Sequence, residues 1–191
     1  MRRAVTALLL ACLGLAACSG GSEVADFGAA APGDGQPELP ADRGLDLADV
    51  AAPAAVPPRD AELVEAGWPE AAAWIRREAE EGRPVVVNFF ASWCGPCERE
   101  LPLLIETARA EQDVAFLGIN HTDQRPLAQA MIEEYGLDFP TLYDAPGDIA
   151  YEVGARGLPT TVAFDTDGRL VSRVFGELTE TNLAQLLDEV R

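Results

Sequence analysis

The chain has 191 residues and a formal net charge of -18, and all 14 of its basic residues are arginines. This excess of negative charge disfavours attraction to nucleic acid phosphates over most of the surface, so we expect no nucleic acid partner. The length suits one globular domain of ordinary size with tails.

The N-terminus has the pattern of an export signal. Arg2 and Arg3 precede an apolar stretch, 4–17, which is too short to span a bilayer comfortably but suits a secretory signal. The Leu-Ala-Ala-Cys sequence at 15–18 resembles the bacterial lipobox. That resemblance implies that residues 1–17, with Cys12, are removed and that Cys18 receives the lipid. The alternative is an ordinary secretory signal that leaves a stray thiol.

Residues 18–60 form the next segment. It is rich in alanine, glycine, proline and acidic residues and has no periodic apolar face. Such a segment cannot bury enough apolar surface to offset the entropy lost on ordering. We therefore expect an anchor and disordered tether at 18–60, a domain at 61–191, and an extracytoplasmic protein that is lipid-anchored to the cell membrane.

Helical and strand patterns alternate beyond residue 60, which indicates an α/β architecture. In chain order, the predicted elements are a helix from Trp68 that stops at Gly82, a strand at Pro84–Phe90, a helix at Gly95–Glu111, a strand at Val114–Ile119, a helix at Arg125–Tyr135, a short strand at Phe139–Tyr143, a short helix at Asp148–Val153, strands at Thr160–Phe164 and Leu170–Phe175, and a last helix capped by Thr179. The strand at Pro84–Phe90 is apolar on both faces, as a central strand should be. Residues 165–168, Asp-Thr-Asp-Gly, predict a hairpin turn.

The sequence Trp-Cys-Gly-Pro-Cys at 93–97 lies where the predicted central strand passes into a helix. Unpaired N–H groups at a helix N-terminus stabilise an anion, so we expect a lowered pKa for the Cys94 thiol. Cys97 lies one turn further on and can reach back to Cys94. The pattern predicts thiol–disulfide exchange with Cys94 as nucleophile, Cys97 as resolving partner, and a disulfide between them.

A zinc site and a purely structural disulfide are the alternatives for this cysteine pair. Zinc takes about four ligands, but Cys18 belongs to the anchor and His121 is the sole histidine. A bridge that closes so short a loop would constrain the unfolded chain little. We therefore expect no metal and no other cofactor.

Residues 86–89, 93–97 and 100–102 together resemble the TlpA/ResA/DsbE-like branch of the thioredoxin family, over about residues 60–191. The resemblance implies a thioredoxin-like α/β fold, with a central mixed β-sheet flanked by helices on both faces. Residues 157–160, Gly-Leu-Pro-Thr, resemble the family loop whose proline is cis and faces the cysteines. The resemblance implies a cis Pro159 and substrate backbone pairing at Leu158; we expect Trp93, Gly95 and Pro96 to complete the substrate-binding surface.

One departure from cytoplasmic thioredoxin concerns protons. Asn88 stands where those proteins have a buried acid, so that position cannot accept a proton from Cys97. Glu100 lies three residues after Cys97 on the same helical face, and the glutamate of relatives with this arrangement is implicated in handling protons. We hypothesise that Glu100 tunes the cysteine pair; the alternative is a solvated helix acid.

The resemblance implies a thiol reductase that acts on protein thiols or disulfides of exported proteins, in the manner of cytochrome c maturation, with electrons from a membrane redox partner. We expect a monomer. The alternatives are an oxidase that introduces disulfides into exported proteins and a non-enzymatic module that binds haem or an apocytochrome. A peroxidase is less favoured, because the pair lacks the proline and threonine that precede a lone peroxidatic cysteine.

Overall fold

A computed structural model of the protein describes residue 45, residues 47–60 and residues 62–191. The predicted signal peptide, the lipidation at Cys18 and the predicted tether up to residue 44 lie outside the described residues. No helix within the described part is both long and apolar enough to cross a bilayer.

The described residues form one mixed sheet of six strands, in the order β1-β4-β3-β2-β5-β6. The strands are β1 (Val64–Glu65), β2 (Val85–Phe90), β3 (Ala115–His121), β4 (Thr141–Asp144), β5 (Thr160–Phe164) and β6 (Leu170–Phe175). The first four strands run parallel to one another, whereas β5 pairs antiparallel with both β2 and β6.

Helices cover both faces of this sheet. They are α1 (Trp68–Glu80), α2 (Gly95–Ala110), α3 (Arg125–Tyr135), α4 (Asp148–Glu152) and α5 (Glu180–Val190), preceded by a 3-10 turn at Leu47–Asp49. One apolar cluster joins α2, α3 and α5 to the sheet, and its members include Leu101, Met131 and Leu183. The other joins α1 and α4 to the opposite face through Trp74 and Ile149. The predicted layer arrangement is confirmed.

The central strand is β2, as the sequence predicts. All six of its residues are buried, and they alternate between the two clusters: Val86 and Phe90 enter one, whereas Val85, Val87 and Phe89 enter the other. Side chains that alternate across a strand explain why both faces had to be apolar.

The ends of the predicted helices are also observed. The helix α3 stops at Gly136, whose φ of 65° is the left-handed conformation that glycine adopts without strain. The hydroxyl of Thr179 accepts a hydrogen bond from the Asn182 N–H and caps α5.

The strand β1 and the start of β4 differ from the predictions, and β3 extends to His121 rather than ending at Ile119. The two-residue strand β1 was not predicted, because two residues show no periodicity and its pairing with β4 exists only in the folded chain. The strand β4 begins at Thr141 rather than Phe139, since Pro140 has no N–H to donate to a ladder. The carbonyl of Pro140 instead accepts from the Gly118 N–H at 2.8 Å.

The segment 47–60, which we expected to belong to the tether, packs on α1. Leu47 is only 4% exposed, and the Arg76 guanidinium donates to its carbonyl oxygen at 2.5 Å. Arg77 donates to the Pro57 carbonyl at 3.0 Å. The compact unit therefore begins before residue 61. The composition of this segment predicts a tether, but arginines of α1 donate hydrogen bonds to its backbone carbonyls and hold it on the domain.

Candidate functional site

The two cysteines lie at the N-terminus of α2 and form a disulfide, with the sulfur atoms 2.00 Å apart. Cys94 has extended backbone angles and is the N-cap, so its side chain meets the first free N–H groups of the helix. The Cys97 N–H donates to the Cys94 sulfur at 3.2 Å. A donor in this position stabilises negative charge on that sulfur once the disulfide is opened.

The local sequence explains this geometry. The strand β2 ends at Phe90, and the Cys94 N–H donates to the Ala91 carbonyl at 3.1 Å, which closes a tight turn into α2. Gly95 and Pro96 are the first two helical residues; proline is well suited there because its missing N–H would have no intrahelical partner. Both cysteines are buried, and Gly95 is exposed beside them.

The loop before β5 lies at the same end of the sheet. The Leu158–Pro159 peptide bond is cis, as the family resemblance implies. Thr160, the first residue of β5, is paired with Phe89 near the end of β2. This antiparallel register brings Leu158 and Pro159 to the edge where Cys94 lies.

Trp93 is an exposed residue of the motif. Its side chain is 62% exposed, and its indole N–H donates to the Thr122 carbonyl at 3.2 Å. The ring therefore forms surface next to Cys94 and is held by the loop after β3.

Glu100 is 1% exposed and is not a solvated helix acid. One carboxylate oxygen, Oε1, accepts from the Asn88 side-chain amide at 2.8 Å, and the other, Oε2, accepts from the Leu178 N–H at 2.6 Å. The same amide nitrogen of Asn88 donates to the Thr161 hydroxyl at 3.0 Å. A buried polar network thus joins α2 to β2, to β5 and to the segment before α5.

Burial raises the pKa of Glu100 to about 7, although the hydrogen bonds from Leu178 and Asn88 lower it, and the nearby charge of Glu177 raises it further. A carboxyl group with this pKa is populated in both protonation states near neutral pH. It can therefore accept or release a proton during a reaction at that pH.

Asp123 is a residue of this site that the sequence analysis missed. Its carboxylate accepts from the Ser92 N–H at 2.6 Å, from the Ser92 hydroxyl at 2.7 Å, from the Asn120 amide at 3.0 Å and from the Gln124 N–H at 2.7 Å. Burial raises the pKa of Asp123, but these hydrogen bonds outweigh it, so the pKa lies below the ordinary value.

The sequence suggests this contact only once the pairing of β2 with β3 is known. The strands β2 and β3 are parallel neighbours, and Phe90 is paired with Asn120. Polar residues that directly follow two such strands meet at one edge of the sheet. Ser92 and Asp123 each lie two residues after the end of their strand.

The chain is similar to proteins that are named thiol-disulfide oxidoreductases or thiol:disulfide interchange proteins. It is 30% identical over 112 residues to the thiol-disulfide oxidoreductase ResA of Bacillus thuringiensis subsp. konkukian, in an alignment that covers 58% of this chain and 65% of that protein. It is 33% identical to the thiol:disulfide interchange protein HelX of Rhodobacter capsulatus, over 58% of this chain and 62% of that protein. The chain thus spans less than two thirds of the length of these relatives.

A solved structure agrees with the fold. A secreted Mycobacterium tuberculosis disulfide oxidoreductase, described as homologous to E. coli DsbE, aligns with a TM-score of 0.52 and 28% identity, over 56% of this chain and 81% of that one. The fold is thioredoxin-like. A family model described as Redoxin matches residues 76–187, more than half of the chain, and the chain therefore belongs to the Redoxin family.

Proposed function

We propose that the protein is a thiol:disulfide oxidoreductase, with Cys94 as nucleophile and Cys97 as resolving partner. The observation that carries this proposal is the disulfide at the first turn of α2, with the Cys97 N–H directed at the Cys94 sulfur at 3.2 Å. The names of ResA and HelX support the same activity.

The first step is attack of the Cys94 thiolate on one sulfur of a substrate disulfide. A bond forms between the Cys94 sulfur and that sulfur, and the substrate S–S bond breaks. Its electron pair leaves with the second substrate sulfur as a thiolate, which takes a proton from solvent. The product is a mixed disulfide between the enzyme and the substrate.

The second step requires that Cys97 lose its proton. Glu100 lies one helical turn beyond Cys97, and both side chains are buried on α2. The Glu100 carboxylate accepts the Cys97 proton, and the Cys97 thiolate attacks the Cys94 sulfur. The Cys94–Cys97 bond forms as the remaining substrate thiolate leaves, so the substrate is reduced by two electrons and the enzyme is oxidised. The reverse sequence oxidises a substrate dithiol.

The substrate-binding surface in this proposal consists of Trp93, Gly95, Pro96, Leu158 and Pro159. The substrate chain pairs with the Leu158 backbone. The exposed Trp93 ring and exposed Gly95 leave room for a protein chain beside Cys94, whereas a small soluble thiol would need no such surface. Protein thiols or disulfides of exported proteins are the proposed substrates.

The protein acts, in this proposal, outside the cytoplasm as a monomer held at the membrane by a lipid on Cys18. A membrane redox partner supplies electrons, so that the direction is reductive, as in cytochrome c maturation. The lipobox-like sequence at 15–18 supports the anchor, and the M. tuberculosis neighbour is described as secreted.

Trapping tests the activity. The Cys97→Ser variant, added to a protein disulfide, should accumulate a mixed disulfide through Cys94, whereas Cys94→Ser should form none and should not reduce a model disulfide. Exchange that survives in Cys94→Ser would contradict the proposed roles. Binding of an apocytochrome that persists without either cysteine, with no exchange, would favour a non-enzymatic module.

Two further measurements test direction and location. A reduction potential of the cysteine pair below about -220 mV against glutathione favours a reductase, and a higher value favours an oxidase. In cells, the Cys18→Ala variant should lose the lipid label and leave the membrane fraction. Retention at the membrane would contradict the anchor.

A further inference from the structure

The side-chain amide of Asn88 uses both of its donors and neither acceptor site. Its Nδ2 donates to Glu100 Oε1 at 2.8 Å and to the Thr161 hydroxyl at 3.0 Å. Its Oδ1 is buried and has no hydrogen-bond partner among the described residues. An amide side chain can both donate and accept hydrogen bonds. Because Asn88 only donates here, this arrangement suits the ionised carboxylate of Glu100, which only accepts.

Protonation of Glu100 conflicts with this arrangement. Oε2 accepts from the Leu178 N–H at 2.6 Å, and the carbonyl oxygen of a protonated carboxyl group is a better acceptor than its hydroxyl oxygen. The added proton therefore belongs on Oε1, which faces the Asn88 Nδ2. Two donors would then point at each other inside the protein, where an unmade hydrogen bond is costly.

A half-turn of the Asn88 amide removes this clash of donors and moves the Nδ2 group to the buried position in which Oδ1 has no hydrogen-bond partner among the described residues. The oxygen and nitrogen of an amide have nearly the same size, so the half-turn exchanges them with little change in packing. Oδ1 then accepts from the Glu100 O–H and from the Thr161 hydroxyl, which can accept in the first arrangement and donate in the second. Both hydrogen bonds reverse direction while the backbone stays in place.

We propose that Asn88 is a positioning residue that reverses its side-chain amide each time Glu100 gains or loses a proton, together with the Thr161 hydroxyl. This inference rests on the proposed function, because transfer of the Cys97 proton is the step that changes the charge of Glu100. The reversal holds the carboxyl group in one place in both charge states, so the proton can move in either direction.

The surroundings of Glu100 favour this role. The side chain that β2 presents to it is the neutral amide of Asn88, whose other partner is the Thr161 hydroxyl of β5. On α2, Cys97 lies one turn before Glu100. The charged group that acts on it from a neighbouring segment is Glu177, which is paired with Arg99 of α2 at 2.6 Å. With a pKa of about 7, Glu100 changes its charge near neutral pH, the range in which the proposed exchange reaction would run.

The structure contains a matched control in Asn120. Its amide nitrogen donates to Asp123 at 3.0 Å, and its Oδ1 is likewise buried without a hydrogen-bond partner among the described residues. The pKa of Asp123 is lowered, however, so this carboxylate keeps its charge at neutral pH. The Asn120 amide should therefore keep one orientation throughout the range in which Asn88 reverses.

NMR on the oxidised full chain, labelled with nitrogen-15 and carbon-13, tests the proposal without any substrate. The titration runs from about pH 5 to about pH 9, on either side of the Glu100 pKa of about 7. We expect the Asn88 side-chain amide shift to follow the Glu100 carboxyl shift with one midpoint. The nuclear Overhauser effects from the Asn88 amide protons to Thr161 should be lost at low pH, whereas the Asn120 amide should not change.

The Glu100→Gln variant, whose side chain does not titrate, should abolish the pH dependence of the Asn88 amide. A Glu100 carboxyl that titrates while the Asn88 contacts to Thr161 persist at both ends would overturn the proposal, as would a Glu100 that does not titrate in this range. If the amide reverses but Cys94→Ser still catalyses exchange, the proposed function fails and the reversal stands.

Discussion

The carboxylate of Asp123 holds Ser92 by two hydrogen bonds, one from its backbone N–H at 2.6 Å and one from its hydroxyl at 2.7 Å. Ser92 lies two residues before Cys94, and Asp123 lies in the loop that also accepts the Trp93 indole N–H. The turn that holds Cys94, the proposed nucleophile, is thus attached to the loop after β3 as well as to its own helix.

The Asp123→Asn variant should weaken this attachment. Asparagine has one acceptor oxygen and would present an N–H₂ group to one of the Ser92 donors, which costs about 1–3 kcal/mol of the free energy of unfolding. We also expect disulfide exchange to slow by about tenfold, equivalent to the loss of one hydrogen bond that positions the turn.

Urea denaturation at neutral pH and a model disulfide assay measure both effects of Asp123→Asn. The exposed acid Asp188 on α5 provides a control, since Asp188→Asn removes the same charge from an exposed position. Equal urea midpoints for the two variants would contradict a stabilising role for the hydrogen bonds between Asp123 and Ser92. The stabilisation from Asp123, whose folded pKa is lowered, should be present at neutral pH and lost as the pH falls below its ordinary value of 3.8.

The stability of the oxidised protein should depend on pH through Glu100 in the opposite sense. Its folded pKa of about 7 exceeds the ordinary value of 4.5, so the folded protein binds the proton more tightly than the unfolded chain. The contribution is full below pH 4.5 and is lost as the pH rises through 7. The expected loss is about 3 kcal/mol, at 1.36 kcal/mol for each pH unit.

Urea denaturation of wild type and Glu100→Gln across this range gives the difference directly. The free energy of unfolding of the wild type should fall relative to that of Glu100→Gln as the pH rises. Glu98→Gln, at an exposed acid of the same helix, should follow the wild type. A constant difference between wild type and Glu100→Gln at all pH values would show that Glu100 has an ordinary pKa.

The docked segment 47–60 should contribute to the stability of the domain. Leu47 is buried against α1, so Leu47→Ala should lower the free energy of unfolding by about 2–4 kcal/mol. Val56 is 39% exposed, and Val56→Ala should change it by less than about 0.5 kcal/mol. Thermal or urea unfolding compares the two, and a neutral Leu47→Ala would place this segment with the tether.

Gly118 should not tolerate a side chain, although its backbone angles would permit one. A Cβ atom there would lie 2.8 Å from the Thr141 hydroxyl and 3.1 Å from the Phe90 ring. Gly118→Ala should therefore destabilise the protein by about 1–3 kcal/mol through overpacking. The matched substitution Gly157→Ala meets no atom within 4 Å. If both variants unfold at the same temperature, β3 has more room than the structure shows.

The sequence predicts the positions of some residues of the site but not of others. The position of Cys94 at a helix N-terminus follows from a strand pattern, a Gly-Pro pair and a helix pattern that are contiguous in the chain. The burial of Glu100 does not follow from them, because it requires Leu178, which lies 78 residues away. The contact of Asp123 with Ser92 spans 31 residues and depends on the parallel pairing of β2 with β3.

The amino-acid sequence by itself determined the order of the main helices and strands, the central position of β2 and the placement of a cysteine pair at the start of α2. These properties depend on propensity, periodicity and capping, which act between near neighbours in the chain. Only the tertiary structure decided that Glu100 is buried against Asn88, that Asp123 holds Ser92 and that Leu47 docks on α1. Burial and hydrogen bonding between distant residues depend on how the elements pack, and local patterns do not contain that information.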